Sequence, residues 1–142
     1  DVVKVLLENK ASTEAATEKV CEFGTTDTKG WTPLNSASDK GHLDVVKVLL
    51  ENKASIEAAD ENGLTSLISA SKHGHVDIVK VLLENKASIE AANKSGMTPL
   101  NKASKHGHVD VVKVLLENKA SIEAADENGL TSLISASKHG HV

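Results

Sequence analysis

The chain repeats itself with a period of 33 residues, and this period constrains the possible fold more than any single motif does. A glycine marks the same position in successive copies, at Gly41, Gly74, Gly107 and Gly140. Segments 27–59 and 60–92 agree at 24 of 33 positions, and segments 60–92 and 93–125 agree at 25. A repeat of this length is typical of a solenoid, in which stacked supersecondary units bury their apolar faces against their neighbours.

The register of the copies predicts one array that spans residues 1–142. A half repeat, an insertion, three full repeats and a second half repeat follow one another over residues 1–16, 17–26, 27–59, 60–92, 93–125 and 126–142. Joining the last half repeat to the first would restore an uninterrupted repeat. We therefore expect either that the sequence was cut from a longer array or that copies of it associate head to tail.

The copy 60–92 shows how one repeat is expected to fold. Gly63 lies in turn-forming sequence, Thr65 is suited to cap a helix N-terminus, and Gly74 is suited to end that helix. Apolar side chains at helical spacing between positions 76 and 83 predict a second helix. The pattern predicts first helices over 33–40, 66–73 and 99–106, second helices over 43–52, 76–85 and 109–118, and core leucines at Leu49, Leu82 and Leu115.

The order of turn, short helix, second helix and extended return resembles the ankyrin repeat. The chain reads GWTPLNSASDKGHLDVVKVLL from Gly30 and GMTPLNKASKHGHVDVVKVLL from Gly96, which is similar to that family's motif G-x-T-P-L-x-x-A-x-x-x-G-H-x-x-V-V-x-x-L-L. The resemblance covers the chain apart from the insertion 17–26. It implies an all-α solenoid of helix-turn-helix units with short β-hairpin fingers, and a protein-binding role.

Two positions depart from that motif. Where the family carries a His that hydrogen-bonds between repeats, the chain has Asn35, Ile68, Asn101 and Ile134. The Pro of T-P-L is replaced by Ser66 and Ser132. The copies thus alternate between TPLN and TSLI, and segments 60–76 and 126–142 are identical, which indicates a duplicated 66-residue unit. The isoleucines cannot make the hydrogen bond that the family makes at this position.

The differences between the copies fall mostly in their front halves, whereas segments 46–59, 79–92 and 112–125 are identical. In the ankyrin architecture the front half supplies the finger tips and the first helices, which line a concave binding surface. We expect partner contacts from Lys29, Trp31, Asp39, Lys40, Glu61, Asn62, Leu64, Lys72, His73, Lys94, Ser95, Met97, Lys105, His106 and Leu130. The alternative is recent duplication followed by drift at a few positions.

An apolar residue occupies the same finger position in four successive copies, as Trp31, Leu64, Met97 and Leu130. Stacked helices lie about 8–10 Å apart, so these side chains would form a stripe that steps by about one helix diameter per repeat. We expect the stripe to anchor a partner on the concave surface. The alternative is that each side chain packs on its own finger.

The insertion 17–26 holds the only Cys and the only Phe of the chain. One hypothesis is an extended finger that offers Val20 and Phe23 to a partner, and the other is a neutral surface insertion or a grafted peptide. Cys21 cannot form an internal disulfide, which favours a reducing compartment and a cytoplasmic or otherwise intracellular location.

Composition and motifs argue against other classes of function. The formal net charge is −4 and the chain contains no Arg, which disfavours nucleic acid as a partner. No apolar run is long enough for a membrane span. The HGH pairs do not supply the three or four converging ligands of a zinc site, and no catalytic or phosphate-binding motif is present. We therefore expect no enzyme, cofactor or metal.

Two functional hypotheses remain from different classes. The first is a protein-protein interaction module that uses its concave face, and the second is an architectural spacer or head-to-tail assembling solenoid without a specific ligand. They differ in whether the face around Trp31, Leu64, Met97 and Leu130 binds a partner.

Overall fold

The structure, a computed structural model, describes residues 2–14 and 30–142. Eight helices lie in these two ranges: α1 (Val2–Glu8), α2 (Pro33–Lys40), α3 (Leu43–Glu51), α4 (Ser66–His73), α5 (Val76–Glu84), α6 (Pro99–Lys105), α7 (Val109–Glu117) and α8 (Ser132–Lys138). Within the same ranges there is no strand, and an isolated antiparallel bridge joins Ala59 to Thr65. The predicted all-α class is confirmed, and the fingers are tight turns that carry at most this single bridge.

The helix bounds agree with the sequence-based predictions to within one residue. The first helices predicted over 33–40 and 66–73 are confirmed, and the other four end one residue earlier than predicted, at Glu51, Glu84, Lys105 and Glu117. After α5 the Nδ2 of Asn85 donates to the Val81 carbonyl at 2.8 Å, and Lys86 adopts a left-handed φ of 70°. This side-chain hydrogen bond and the change of φ terminate the helix before the predicted last residue.

The helices form two stacked rows. The first helices α2, α4, α6 and α8 pack in succession, the second helices α3, α5 and α7 form the other row, and α1 lies beside α3. The core lies between the rows and contains Leu49, Leu82 and Leu115, which are at most 2 % exposed. The predicted core leucines are therefore confirmed.

The Gly-His pairs connect neighbouring repeats. The Nε2 of His108 donates to the carbonyl oxygen of Lys72 in the preceding repeat at 2.9 Å. A Cβ added to Gly74 would lie only 2.6 Å from the Nδ1 of the same imidazole. His75 and His141 bond to Asp39 and Lys105 in the same way, at 3.0 Å. Glycine is thus required here both for its positive φ and for the space that the next repeat's histidine occupies.

The two departures from the ankyrin motif compensate for each other. The Nδ2 of Asn35 donates to the Ala58 carbonyl at 3.0 Å and to the Ser66 Oγ of the next repeat at 3.2 Å. Its Oδ1 accepts from the backbone N–H of Thr32 at 3.0 Å, which completes a capping box. Asn101 makes the equivalent bond to Ser132 Oγ at 3.1 Å.

The interface between repeats 60–92 and 93–125 has a different chemistry at the same positions. Here the residues at the Asn and Ser positions are Ile68, which has no exposed surface, and Pro99, which is buried. The stack therefore alternates between a hydrogen-bonded and an apolar interface, which gives a physical reason for the alternating TPLN and TSLI segments.

We expect Gly74→Ala to destabilise the chain more than Gly140→Ala, as measured by urea denaturation. Both glycines have a φ of +75°, so the left-handed strain of about 1–2 kcal/mol is common to both variants. Only Gly74 faces a histidine, because nothing lies within 4 Å of a Cβ at Gly140. Equal losses of stability would show that the contact between glycine and histidine contributes nothing beyond the backbone conformation.

We expect Leu82→Ala to lower the free energy of unfolding by about 2–5 kcal/mol, because it empties part of a fully buried site. The loss should extend to neighbouring repeats, since α5 packs against both α3 and α7. Hydrogen exchange would measure this spread, with the exposed residue Lys80→Ala on the same helix as the control. A melting temperature unchanged to within a degree would contradict the position of Leu82 in the core.

Candidate functional site

Fingers and first helices together enclose a cleft of about 310 Å³ where repeats 60–92 and 93–125 meet. We call it the finger cleft, and its lining residues are Asn62, Leu64, Lys72, Asn93, Lys94, Ser95 and Lys102. Lys72 extends from α4 and Lys102 from α6, whereas the other lining residues belong to the two fingers. Five of the sequence-predicted partner contacts are thus brought together at one cleft.

Carboxylate and amide side chains shape each finger. The Oδ1 of Asp60 accepts from the backbone N–H groups of Asn62 and Leu64, both at 2.8 Å. Asn93 and Asp126 close the following fingers with the same pair of bonds, at 2.9–3.1 Å. Because the turn is held by its own side chain, the remaining finger positions are available for variation.

Backbone hydrogen bonds stack the fingers on one another. The Lys94 N–H donates to the Asn62 carbonyl at 2.9 Å, and the Glu127 N–H donates to the Ser95 carbonyl at 3.0 Å. The tips of successive fingers are therefore held at a fixed spacing beside the first helices. This spacing positions the side chains of Lys94 and Ser95 at the rim of the finger cleft.

The predicted apolar stripe is not an exposed surface. Trp31 is 7 % exposed and Met97 is 8 % exposed, while Leu64 and Leu130 are half-buried. The Trp31 Nε1 donates to the Oδ2 of Asp60 in the next finger at 3.0 Å, which holds the indole against that finger. Trp31 and Met97 therefore offer little exposed apolar surface, and the anchoring role of the stripe stays a prediction.

The positive charges around the finger cleft have no acidic partner in the part of the chain that the structure describes. Lys72, Lys94, Lys102 and Lys105 form no ion pair there, whereas Lys80 and Lys113 on the second helices approach Asp77 and Asp110 at 4.0 and 3.8 Å. Burial lowers the pKa of the Lys102 ammonium, and repulsion from Lys105 and Lys72 lowers it further. Lys102 is therefore repelled by two neighbouring cations and lies in a cleft that Lys94 also lines.

The equivalent region of the first full repeat is neutralised by Asp39. Its Oδ1 lies 3.1 Å from the Nδ1 of His73, and its Oδ2 lies 3.1 Å from the Nζ of Lys40. The positions equivalent to Asp39 in the following repeats are Lys72 and Lys105. The side chain at this position is consequently an anion in the first full repeat and a cation in the second and third.

The histidines of the three HGH pairs are held in hydrogen bonds to the backbone. The His106 Nδ1 donates to the Lys102 carbonyl at 2.9 Å, and the ring stacks on His108 with centroids 6.2 Å apart. Burial lowers the pKa of His106, the bond to the Lys102 carbonyl opposes this shift, and the charges of Lys102, Lys72 and His108 add to it. Across residues 2–14 and 30–142 no group of three or more His, Cys, Asp or Glu side chains could hold a metal ion.

The other predicted contacts are distributed along the same side of the stack. Exposed side chains are those of Lys40, Glu61, Asn62, His73, Lys94 and His106. Half-buried side chains are those of Asp39, Leu64, Lys72, Ser95, Lys105 and Leu130. Lys29, Val20 and Phe23 lie outside the described residues.

Lys102 was not among the sequence-predicted contacts, although it lines the finger cleft. The sequence does distinguish this position, because the other copies carry a serine there, as Ser36, Ser69 and Ser135. A position that changes from a small polar residue to a cation in one copy belongs to the same variable set as Lys72 and Lys94.

The second helices expose residues that do not vary. Lys47, Glu51, Asn52 and Lys53 are exposed, and the same four letters stand in the two following copies. A groove of about 370 Å³ between α1 and α3 is lined by this repeated sequence. Exposure alone therefore does not account for where the copies differ.

Comparison with known sequences identifies the family. A family profile described as ankyrin repeats (3 copies) matches residues 1–93, and another described as ankyrin repeats (many copies) matches residues 82–136. The chain belongs to the ankyrin-repeat family, as the paired helices and stacked fingers also indicate. No curated protein matches the sequence.

Ankyrin repeats are in general protein-protein interaction modules and are typically not enzymes. Among the described residues, no helix has both the length and the apolar character needed to cross a membrane.

Proposed function

We propose that the chain binds a protein partner through the surface formed by its fingers and first helices, which we call the finger-helix face. The face includes the predicted contacts on the fingers and first helices together with Lys102, and it has the finger cleft near its middle. Lys29 and the insertion residues Val20 and Phe23 are proposed to extend it. Trp31 and Met97 support the face from within and offer little exposed apolar surface.

The observation that carries this proposal is the contrast between two exposed surfaces. Among the three full repeats 27–59, 60–92 and 93–125, side chains on the finger-helix face differ, whereas Lys47, Glu51 and Asn52 on a second helix are exposed and repeated without change. Drift after duplication would change both surfaces at similar rates. Variation restricted to one face is what diversification for a partner would produce.

Site-specific photocrosslinking tests which face binds. A photoreactive residue placed at Asn62 or Ser95 should form adducts with a bound protein, and the same residue at Lys47 or Lys80 should not. All four positions lie at or near the surface, so differences in exposure are small. Adducts formed only from Lys47 or Lys80 would show that the partner binds the second helices, and this result would contradict the proposed face. The absence of adducts from all four sites would favour the architectural spacer.

A second candidate function, head-to-tail self-association, is favoured by apolar side chains on the two outer faces of the stack. Leu133 and Ile134 on α8 are 71 % and 47 % exposed, and Val2, Val5 and Leu6 on α1 are 73 %, 54 % and 53 % exposed. Leu67 and Leu49, the equivalents of Leu133 and Leu6 inside the array, are buried in the core. A second copy could cover them by continuing the same stack.

We expect the mean mass of the 142-residue chain in light scattering to rise with concentration if copies stack in this way. Each buried Val or Leu would contribute about 1.5–3 kcal/mol to the contact, so Val2→Ser with Leu6→Ser should lower the mass. The exposed position Lys4→Ser on the same helix is the matched control. A mass that stays at one chain at the highest concentrations would exclude self-association.

A further inference from the structure

We propose that the finger cleft binds an acidic segment of the partner protein, with Asp or Glu carboxylates paired to Lys72, Lys94 and Lys102 and an apolar side chain placed on Leu64. This assignment rests on the proposed function and specifies the chemistry of the partner. It concerns one inter-repeat junction, between 60–92 and 93–125, and not the whole face.

The first argument is the distribution of charge in a chain of net charge −4. The positions of Lys72, Lys94 and Lys102 carry an acidic or small polar residue in at least one other copy: Asp39, Glu61 and Ser69 respectively. Lys72 recurs as Lys105 and Lys138, whereas lysine occurs at the positions of Lys94 and Lys102 only in copy 93–125, so the three cations meet at this junction. Lys105 on α6 lies near enough to Lys102 to repel it.

The second argument is that these cations are not used by the fold. No acidic side chain in ranges 2–14 and 30–142 forms an ion pair with any of the four lysines, while lysines on the second helices have aspartates nearby. Partial burial and mutual repulsion destabilise the charged form of Lys102, and an incoming carboxylate would reverse that effect. Burial and local repulsion thus favour an anionic ligand at this cleft.

The shape of the cleft suits a peptide. In an extended segment the side chains of residues i and i+2 point the same way, about 6.6 Å apart, whereas neighbouring repeats lie about 10 Å apart. The flexible stems of Lys72 and Lys102, which extend from adjacent helices, can span this difference. A volume of about 310 Å³ is enough for a few side chains and is too small for a folded domain.

The side chains present favour an acidic protein segment over a nucleic acid. The chain contains no Arg, the residue whose planar guanidinium binds phosphates through two hydrogen bonds. Trp31 is the only Phe, Tyr or Trp among the described residues, and it is buried. The cleft therefore contains no such ring on which a base could stack. Leu64 instead offers a half-buried aliphatic contact.

Fluorescence anisotropy with defined probes tests the assignment on the 142-residue chain. The first probe is a labelled peptide of about ten residues in which Glu alternates with Ala, so that its carboxylates project to one side when extended. The second replaces every Glu by Gln, and the third is an oligothymidylate of equal charge. We expect the Glu peptide to bind, more weakly at high salt, and the Gln peptide not to bind.

The cleft variant uses residues that other copies already carry at equivalent positions, so that the fold is retained: Lys72→Asp, Lys94→Glu and Lys102→Ser. The matched control places the same three residues on the second helices, as Lys47→Asp, Lys80→Glu and Lys113→Ser. Both variants have the same net charge, so they differ only in where the cations were removed. We expect the cleft variant to lose about tenfold or more in affinity and the control about twofold or less.

Three outcomes would overturn the inference. Equal losses in the two variants would show attraction by overall charge only. Equally tight binding of the oligothymidylate, lost in the same variant, would make the cleft a general polyanion site. A Glu peptide that binds no better than the Gln peptide would remove the charge requirement. Photocrosslinking at Asn62 distinguishes the failure of this inference from the failure of the proposed function. If the cleft variant forms the same adducts as the unmodified chain, the partner still binds the finger-helix face, but its binding does not depend on an acidic segment in the cleft.

Discussion

Every repeat in this chain depends on its neighbours, because a unit of two short helices and a turn cannot bury its own apolar surface. Leu82 is fully buried on a helix that packs against both α3 and α7. The same dependence governs the polar contacts, since His108 bonds to the carbonyl of Lys72 and occupies the space above Gly74. A substitution in one repeat is therefore expected to lower the stability of the adjacent repeat first.

The repeated contacts do not require identical residues at every junction. Asn35 and Ser66 form a polar junction, and Ile68 and Pro99 occupy the same positions in the next. Both solutions avoid an unsatisfied buried polar group, the first by hydrogen bonding and the second by having no polar side chain there. Mixing them, for example by placing Asn opposite Pro, would leave an amide donor without its hydroxyl acceptor. The 66-residue unit is thus a unit of matched interface chemistry.

Contacts between backbones, histidines and buried leucines hold the scaffold together. The residues at the finger tips and on the exposed sides of the first helices can therefore differ between copies. The fingers keep their shape through Asp60 and its equivalents while their tips change from Glu61 to Lys94. Such positions can collect like charges, as they do at the finger cleft, at little cost to the fold. Among the described residues, no acidic side chain forms an ion pair with Lys102 that would offset this repulsion.

Much of the fold was predictable from local sequence, since helix caps and apolar periodicity act within one repeat. Thr65, Gly74 and the stripe that contains Leu82 gave helix bounds correct to within one residue and a correct core. The exposure of Trp31 and Met97 was not predictable in this way. Their burial depends on the finger stacked above, and a sequence pattern gives the position of a side chain on its own element but not what the next element covers. Likewise, the variable positions were visible in the sequence, but only the packing of α4 against α6 showed that Lys72, Lys94 and Lys102 share one cleft.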